Sequence, residues 1–570
     1  VKILAVRLRN ILLVATVALI VSTVVYLGVT MPPAARVLTP APPTTIYGAY
    51  HVHTNHSDGS GSFDDVAAAA KEAGLQFVIV TDHGDATRTP DAPLYLNGVL
   101  LIDAVEIGTT SGHLVALGLR DASPYPLGAE ARDTIEDVHR MGGWAIAAHP
   151  DSPKESLRWR GQAPVDGIEW LNADSEWRDE RKRELLTTVG HYLVRPAEAI
   201  AAIFDRPAPS LRRWDQLART RDIVGLAGVD AHARIGIDET EEPRKSRTLL
   251  ARPSYADMFK TVVQAIALTA PLSGNATTDG DVILEALRRG QTYSVVRALA
   301  SPGLITFTAT DGVTSSTMGG TLASADPVTI DARVPEPADA TVSLWRDGRE
   351  VASALGGVTF VHTGPAASYR VEVRLPGHAV PWLVTNAIRV GVPVVQRREV
   401  PTALPGRPTL MSEVTKWVIE KHAASEATIT TEGGEVGLAY RLAPGRPNGQ
   451  YAAMAYPVGG EDSFDRITLT MRASAPMRVS VQVKLPAGVD GERWSRSVFV
   501  DQTPRTVTLR LQDFAPADRQ TTRRPIVSRL RSLLVVVDTA HTTPGSAGTV
   551  WVSGVTLMSP PLPLEVTSER

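Results

Sequence analysis

The hydrophobic positions of this chain follow three rhythms in succession. From Ile11 to Val29 the residues are almost wholly apolar, and no charge falls between Arg9 and Arg36. A run of that length can cross a bilayer as a helix, and it lacks the polar face that a buried soluble helix would show. Lys2, Arg7 and Arg9 precede it, so the positive-inside rule puts the N-terminus in the cytoplasm and the bulk of the chain outside it. No small-x-small cleavage site stands out, which favours an uncleaved anchor; secretion after signal cleavage is the alternative. Residues 30–45 are rich in proline and read as a tether.

The second rhythm alternates short apolar runs with helical segments. Strands are predicted at Ile46–Tyr50, Phe77–Val80, Val99–Val105, His113–Leu119, Trp144–Ala148, Gly167–Leu171 and Ile223–Val229. Helices are predicted from Ser62 or Asp64 to Ala73, over Ala129–Met141, in charged segments between 174 and 220, and at Tyr255–Leu268 and Asp281–Arg289. Such alternation predicts an α/β sheet or barrel over residues 46–300, with its chemistry at the C-terminal strand ends. The third rhythm is all β. Residues 301–392 suggest a small sandwich with a hairpin turn at Asp347-Gly348. Residues 393–409 are a Pro-containing linker, and 410–570 suggest a second sandwich of jelly-roll type.

Composition narrows this picture a little. With 570 residues, several domains are expected. The formal net charge of -3 gives no support for a nucleic-acid partner. The chain has no cysteine, which removes disulfides, zinc–thiolate sites and a cysteine nucleophile. There is also no G-x-S-x-G elbow and no P-loop.

The candidate chemistry lies in histidine. Nine of the thirteen histidines fall between residues 51 and 232. His51 and His53 are one residue apart at the end of the first strand, so alternation would point both to one side. His83, His113, His149 and His232 occupy other strand ends or turns, together with Asp58, Glu106 and Asp230. Histidine and carboxylate without thiolate suit Zn, Mn or Fe. Nine candidate ligands suit two or three ions rather than one. His56 is an alternative ligand that fits the pattern less well than Asp58, His139 reads as a solvated surface residue and His191 as a structural one. Glu169 and Asn172 either shape the pocket or are structural. Arg234, two residues after His232, is the preferred phosphate contact among the arginines of this region.

His51-Val52-His53, Asp58-Gly59, Thr81-Asp82-His83, Glu106, Gly112-His113, Ala148-His149-Pro150 and Asp230-Ala231-His232, in that order, resemble the PHP (polymerase and histidinol phosphatase) family. The resemblance covers residues 46–300 and implies a distorted (β/α)7 barrel with a di- or trinuclear centre. It implies one metal among His51, His53, Glu106 and Asp230, and Glu106 bridging to a second held by His113 and His149. Asp58, His83 and His232 would hold a third; the family often has histidine where Asp58 stands. A metal-bound water held by Glu106, Asp230, His51 and His53 would then attack phosphorus, with two or three Zn, Mn or Fe ions as cofactors.

The segment around Ser368–Val373 and Pro381–Ile388 resembles the small β-domain that follows exported PHP barrels. The last sandwich is similar to galactose-binding-like modules, in which Trp494, Trp551 and Tyr451 could stack on sugar rings, with core packing as the other reading. The expected function is a membrane-anchored phosphoesterase acting on a phosphorylated small molecule or envelope substrate outside the cytoplasm. A non-catalytic, metal-stabilised glycan-binding surface protein, or a hydrolase of non-phosphate esters or amides, is the alternative.

Overall fold

A computed structural model describes residues 2–161, 163–236, 248–250, 252–323, 327–391, 409–410, 413–445, 449–458, 464–484, 492–517 and 530–558. The predicted linker at 393–409 lies outside these except for its last residue. The chain divides into two compact units, one holding residues 1–84, 90–120 and 138–394, the other 85–89, 121–137 and 395–570.

The first unit begins with helix α1, Lys2–Thr30. Its segment Asn10–Thr30 has a mean hydropathy of 2.5, carries no buried share, and is long and apolar enough to cross a membrane. The Pro-rich stretch after it is not a loose tether. Arg36–Val37 pairs in parallel with Ala300–Ser301, and Thr39 is held by Glu336 through its backbone N–H and its hydroxyl, both at 3.0 Å.

The barrel strands are β1 (Thr45–Val52), β2 (Phe77–Val80), β3 (Val99–Asp103), β4 (Val105–Thr109), β5 (Gly112–Leu117), β6 (Trp144–Ala147), β7 (Gly167–Asn172) and β8 (Val224–Gly228). β1, β2 and β3 pair in parallel, and so do β6, β7 and β8. β5 departs from the parallel expectation and runs antiparallel to both β4 and β6. Two parallel bridges, Val52 to Ala231 and His83 to Glu106, stitch the two sheets into a distorted barrel. Both stitches fall among the candidate ligands. A single apolar cluster joins Ile46, Tyr50, Phe77, Ile79, Leu100, Val115, Ile146 and Leu226.

The helices follow the local code. Helix α2 (Phe63–Glu72) starts at Ser62, whose hydroxyl accepts from Asp65 N–H while the Asp65 carboxylate accepts from the Ser62 backbone. α3 covers Ala131–Arg140, and four helices fill the charged region: α4 (Ala173–Asp179), α5 (Lys182–Tyr192), α6 (Pro196–Ala201) and α7 (Ala208–Ala218). Two expectations fail here. Val99–Val105 is two strands, because the chain turns at Ala104, which puts Glu106 inside β4 rather than at a strand end. Tyr255–Leu268 is a short helix α8 (Tyr255–Phe259) followed by strand β9 (Val263–Ala267). β9 pairs with β1, and the neighbouring strand β10 (Thr292–Val295) pairs with β9. The Val262-Val263 pair favours a strand, but helical spacing of Tyr255, Met258 and Val262 masked the change. Helix α9, Ala276–Arg288, ends this part.

The small β region is not set apart from the barrel. β10 pairs with Leu383–Thr385, so one sheet runs on from the barrel into strands at 341–346, 367–374 and 388–390. A second, four-stranded sheet (306–310, 315–317, 328–333, 357–362) completes it. Asp347 and Gly348 both have positive φ, at 49° and 81°, as a primed hairpin turn requires. The second unit contains two six-stranded antiparallel sheets among the described residues, a β-sandwich.

Candidate metal centre

All nine predicted ligand candidates meet in one place in the first unit. His51 lies in β1 and His53 just after it; Asp58 is in the following turn, and His83 follows β2. Glu106 is in β4 and His113 in β5. His149 follows β6, and Asp230 and His232 follow β8. The convergence of His51 and His53 does not come from simple alternation. The pairing of β1 with β2 slips between Tyr50 and Val52, and His51 takes a left-handed φ of 70° at that bulge. His149 (φ 29°) and Asp230 (φ 50°) are also left-handed, a conformation that costs free energy in non-glycine residues.

Four donor atoms form the inner cluster. His51 Nε2 and His53 Nε2 are 3.1 Å apart. Each is 3.3 Å from Glu106 Oε2, and they are 3.4 and 3.3 Å from Asp230 Oδ1. Donor atoms 3.1–3.4 Å from their neighbours are close enough to face a shared cation. The other Glu106 oxygen, Oε1, is 2.8 Å from both His113 Nδ1 and His149 Nε2. Asp58 Oδ2 is 3.6 Å from His83 Nε2 and 3.4 Å from His232 Nε2, and Asp58 Oδ1 is 3.4 Å from His53 Nδ1. These donors fall into overlapping groups of metal-holding spacing, including His53, Asp58, His83 and His232 on one side and His51, His53 and Glu106 on the other. The donor set therefore fits divalent cations.

The rings are aimed by a second layer. His51 Nδ1 is 2.5 Å from Glu169 Oε1, His149 Nδ1 is 3.3 Å from Leu157 O, and His232 Nδ1 is 3.0 Å from Asp230 O. With Nδ1–H donating outward in each, the Nε2 lone pair faces the cluster. Glu169 also accepts from His149 N–H at 2.7 Å and from Asn172 Nδ2 at 2.8 Å, and Asn172 reaches Asp230 Oδ2 at 3.2 Å. Sequence left Glu169 and Asn172 open between pocket and structure; the acidic residue inside an apolar strand was the signal. Gly228 makes room for this carboxylate, since a Cβ there would stand 2.6 Å from Glu169 Oε1. Asp82 fixes the turn that carries Asp58 by accepting from Thr54 N–H and the hydroxyls of Thr54 and Ser57. Tyr255, which no sequence signal marked, donates its hydroxyl to His53 O at 2.8 Å.

Burial grades the site from floor to mouth. The side chains of His51, His53 and Glu106 are no more than 1% exposed, whereas His83 is 33% and Asp58 20% exposed. Burial alone would raise the Glu106 carboxyl, but the charges of His83, His113 and His51 hold it well below the carboxylate range. Asp230 is likewise held low against burial, chiefly by His51. Asp58 is depressed against burial by His232, His83 and His53. Burial opposes protonation of His83 and His232, yet Glu106 and Asp58 raise them to about 9 and about 10. The pocket is built around positive charge, supplied by imidazolium protons or by cations that displace them.

Other candidates sit elsewhere. His56 packs edge-on against Phe63 and belongs to none of the clusters. His139 bonds Asp166 at 2.7 Å, and His191 meets Thr30 at 3.0 Å. Arg234 donates to the Asp58 carbonyl at 3.1 Å, at the mouth of the site. In the second unit Trp494 is 1% exposed and belongs to the core, which removes it from the sugar-stacking candidates. Trp551 and Tyr451 are partly buried on different sheets, with Arg472 3.9 Å above the Trp551 ring and Arg493 5.8 Å above that of Tyr451.

Comparison with known families matches residues 49–123 to the PHP domain. An uncharacterized protein, MJ1587, of Methanocaldococcus jannaschii is 33% identical over 142 residues, which span 22% of this chain and 80% of that protein. Residues 49–123 of the chain thus carry a PHP-domain match. Among solved structures, the family 11 carbohydrate-binding module of the cellulosomal cellulase Lic26A-Cel5E of Clostridium thermocellum is 14% identical, with a TM-score of 0.21, over 27% of this chain and 95% of its own. CBM4 is 18% identical, with a TM-score of 0.18, over 26% of this chain and 96% of its own.

Proposed function

We propose that this protein is a metal-dependent phosphoesterase, anchored by α1 and acting outside the cytoplasm. The observation that carries the reading is the division of Glu106: one oxygen faces His51, His53 and His83, the other faces His113 and His149. A carboxylate shared in this way suits two adjacent cations. His51, His53, Glu106 and Asp230 would hold one ion, His113 and His149 with Glu106 a second, and Asp58, His83 and His232 a third. When bound, such cations lower the pKa of water and neutralise phosphoryl oxygens.

The chain's own residues supply orientation. Glu169 fixes the tautomer of His51 and ties it to the backbone at His149, so three strand ends move as one. The buried inner residues keep bulk water from the floor of the site, while the half-exposed His83, Asp58 and His232 leave its mouth open to an ester. Arg234 lies beside Asp58, within reach of an entering phosphate group if it turns from the carbonyl it holds. Substrates compatible with export are phosphorylated sugars, nucleotides, lipid head groups and envelope polymers. A glycan at the second unit would have to be gripped by Trp551 or Tyr451 rather than Trp494.

The test is hydrolysis of phosphomonoester, phosphodiester and carboxylic ester substrates by the full chain with Mn or Zn. Metal-dependent release of phosphate that disappears in His51→Ala and in Asp230→Ala is expected. Turnover of the carboxylic ester alone, or activity that survives both substitutions, contradicts the reading.

A further inference from the structure

Helix α5 and the two residues after it show an apolar stripe that the first unit leaves largely exposed. Leu186, Val189, Leu193 and Val194 are 75%, 51%, 83% and 66% exposed. The first three recur at the spacing of one helical face, and Lys182 begins the same stripe one turn earlier. Large apolar side chains grouped on one exposed face are unusual for a surface in water. The stripe lies beside the membrane-length helix. Gly190, which sits between Leu186 and Val194 on this face, receives Leu27 so closely that a Cβ would stand 2.6 Å from Leu27 Cδ2. The next residue, His191, meets Thr30 Oγ1 at 3.0 Å, and that hydroxyl already donates to Tyr26 O, so the ring nitrogen is the donor.

The chain leaving α1 is fixed to the same corner. Arg195 donates to Pro32 O at 2.6 Å, and Ala35 N–H donates to Glu198 at 3.2 Å. The end of α1 is therefore held at the level of α5 and α6. Twenty-one helical residues at 1.5 Å each span ~31 Å, about the thickness of the hydrocarbon core. With Asn10 to Thr30 filling the core, the membrane surface must fall at Thr30, which is where α5 sits.

We propose that α5 is a membrane-interface helix: Leu186, Val189, Leu193 and Val194 enter the boundary between head groups and acyl chains of the bilayer that α1 spans. This rests on the reading of α1 as an anchor. The exposed Arg181, Lys182 and Arg183 at the start of α5 place cationic heads beside the phosphates, with their stems along the stripe. The helix would thus hold the first unit in one orientation on the membrane instead of leaving it to swing on a tether.

The chain contains no cysteine, so one introduced thiol can be labelled uniquely. Full-length Val17→Cys, Leu193→Cys and Val313→Cys would carry an environment-sensitive nitrobenzoxadiazole label in phosphatidylcholine–phosphatidylglycerol vesicles. Lipids with a shallow doxyl quencher would then be added. Val313, 93% exposed in the same unit, is the aqueous control. The label at Leu193→Cys should shift to the blue and lose at least about half its emission, while that at Val313→Cys should not respond. Quenching at Val17→Cys with none at Leu193→Cys overturns the inference and leaves the anchor intact. A blue shift at Leu193→Cys without quenching means that protein covers the stripe, and also overturns it. No quenching at Val17→Cys removes the anchor itself and the inference with it.

Discussion

The barrel site and the C-terminal sandwich answer the same question in opposite ways. In the first, nine histidines and carboxylates are packed against one another, with His51, His53 and Glu106 almost wholly buried. In the second, the aromatic residues that could grip a sugar are spread over two sheets, and one of them is core. Burying an aromatic ring is favourable whatever the protein does, so a tryptophan in a strand says little about function. Burying titratable groups is costly unless something compensates them. A cluster of them at strand ends therefore demands an explanation beyond folding, and left-handed backbone at His51, His149 and Asp230 adds to the cost.

The comparison can be broken by substitutions whose effects fall on different quantities. Asp230→Ala should remove metal-dependent hydrolysis, a loss greater than the 10–100-fold typical of outer partners. Measured on the same samples, urea unfolding should show a folded protein. Trp494→Ala should do the reverse. It should cost about 3–5 kcal/mol of stability for a fully buried tryptophan and leave hydrolysis per folded molecule unchanged. If it abolished turnover instead, the division between the two regions would be wrong. Glu169→Gln keeps the shape but weakens the grip on His51; a loss of roughly 10–100-fold in metal affinity is expected by competition with a chelator. No change there would make Glu169 a packing residue only.

Smaller effects sharpen the picture. Glu176 is buried, and burial, with Asp179, Asp205 and Glu180 nearby, raises its carboxyl to about 8 from the ordinary 4.5. Its protonated form is the one the fold favours. The stability it contributes is full below about 4.5 and is lost as pH rises towards about 8. Glu176→Gln should flatten that decline, a gain on the order of 2 kcal/mol at the alkaline end, read from urea unfolding across pH. Trp551→Ala removes the ring under Arg472 and should cost only about 1 kcal/mol; a larger loss would assign that ring to the core as well.

Much of this site was readable because its residues are polar and its strands apolar. His83, His149, Asp230 and His232 stand where a hydrophobic run gives way, and that contrast survives any error of a residue or two. Glu106 was found for a slightly wrong reason: it lies within β4, since the chain breaks after Asp103. The route by which His51 and His53 converge was not readable, because a bulge and a positive φ leave no mark in a sequence of His-Val-His. Nor was the sheet that runs through β10 into the small β region, a long-range pairing that local periodicity does not encode. The stretch after α1 reads as loose from its prolines, yet specific bonds to Glu336 and Glu198 hold it.

The most direct measurement is the number of metal ions per chain, by elemental analysis after equilibration with Zn or Mn and removal of free ion. Two or three ions per wild-type chain are expected, with fewer in both Asp230→Ala and His113→Ala. A wild-type chain that retains none, or variants that retain as many as wild type, would contradict the metal centre and the phosphoesterase built on it.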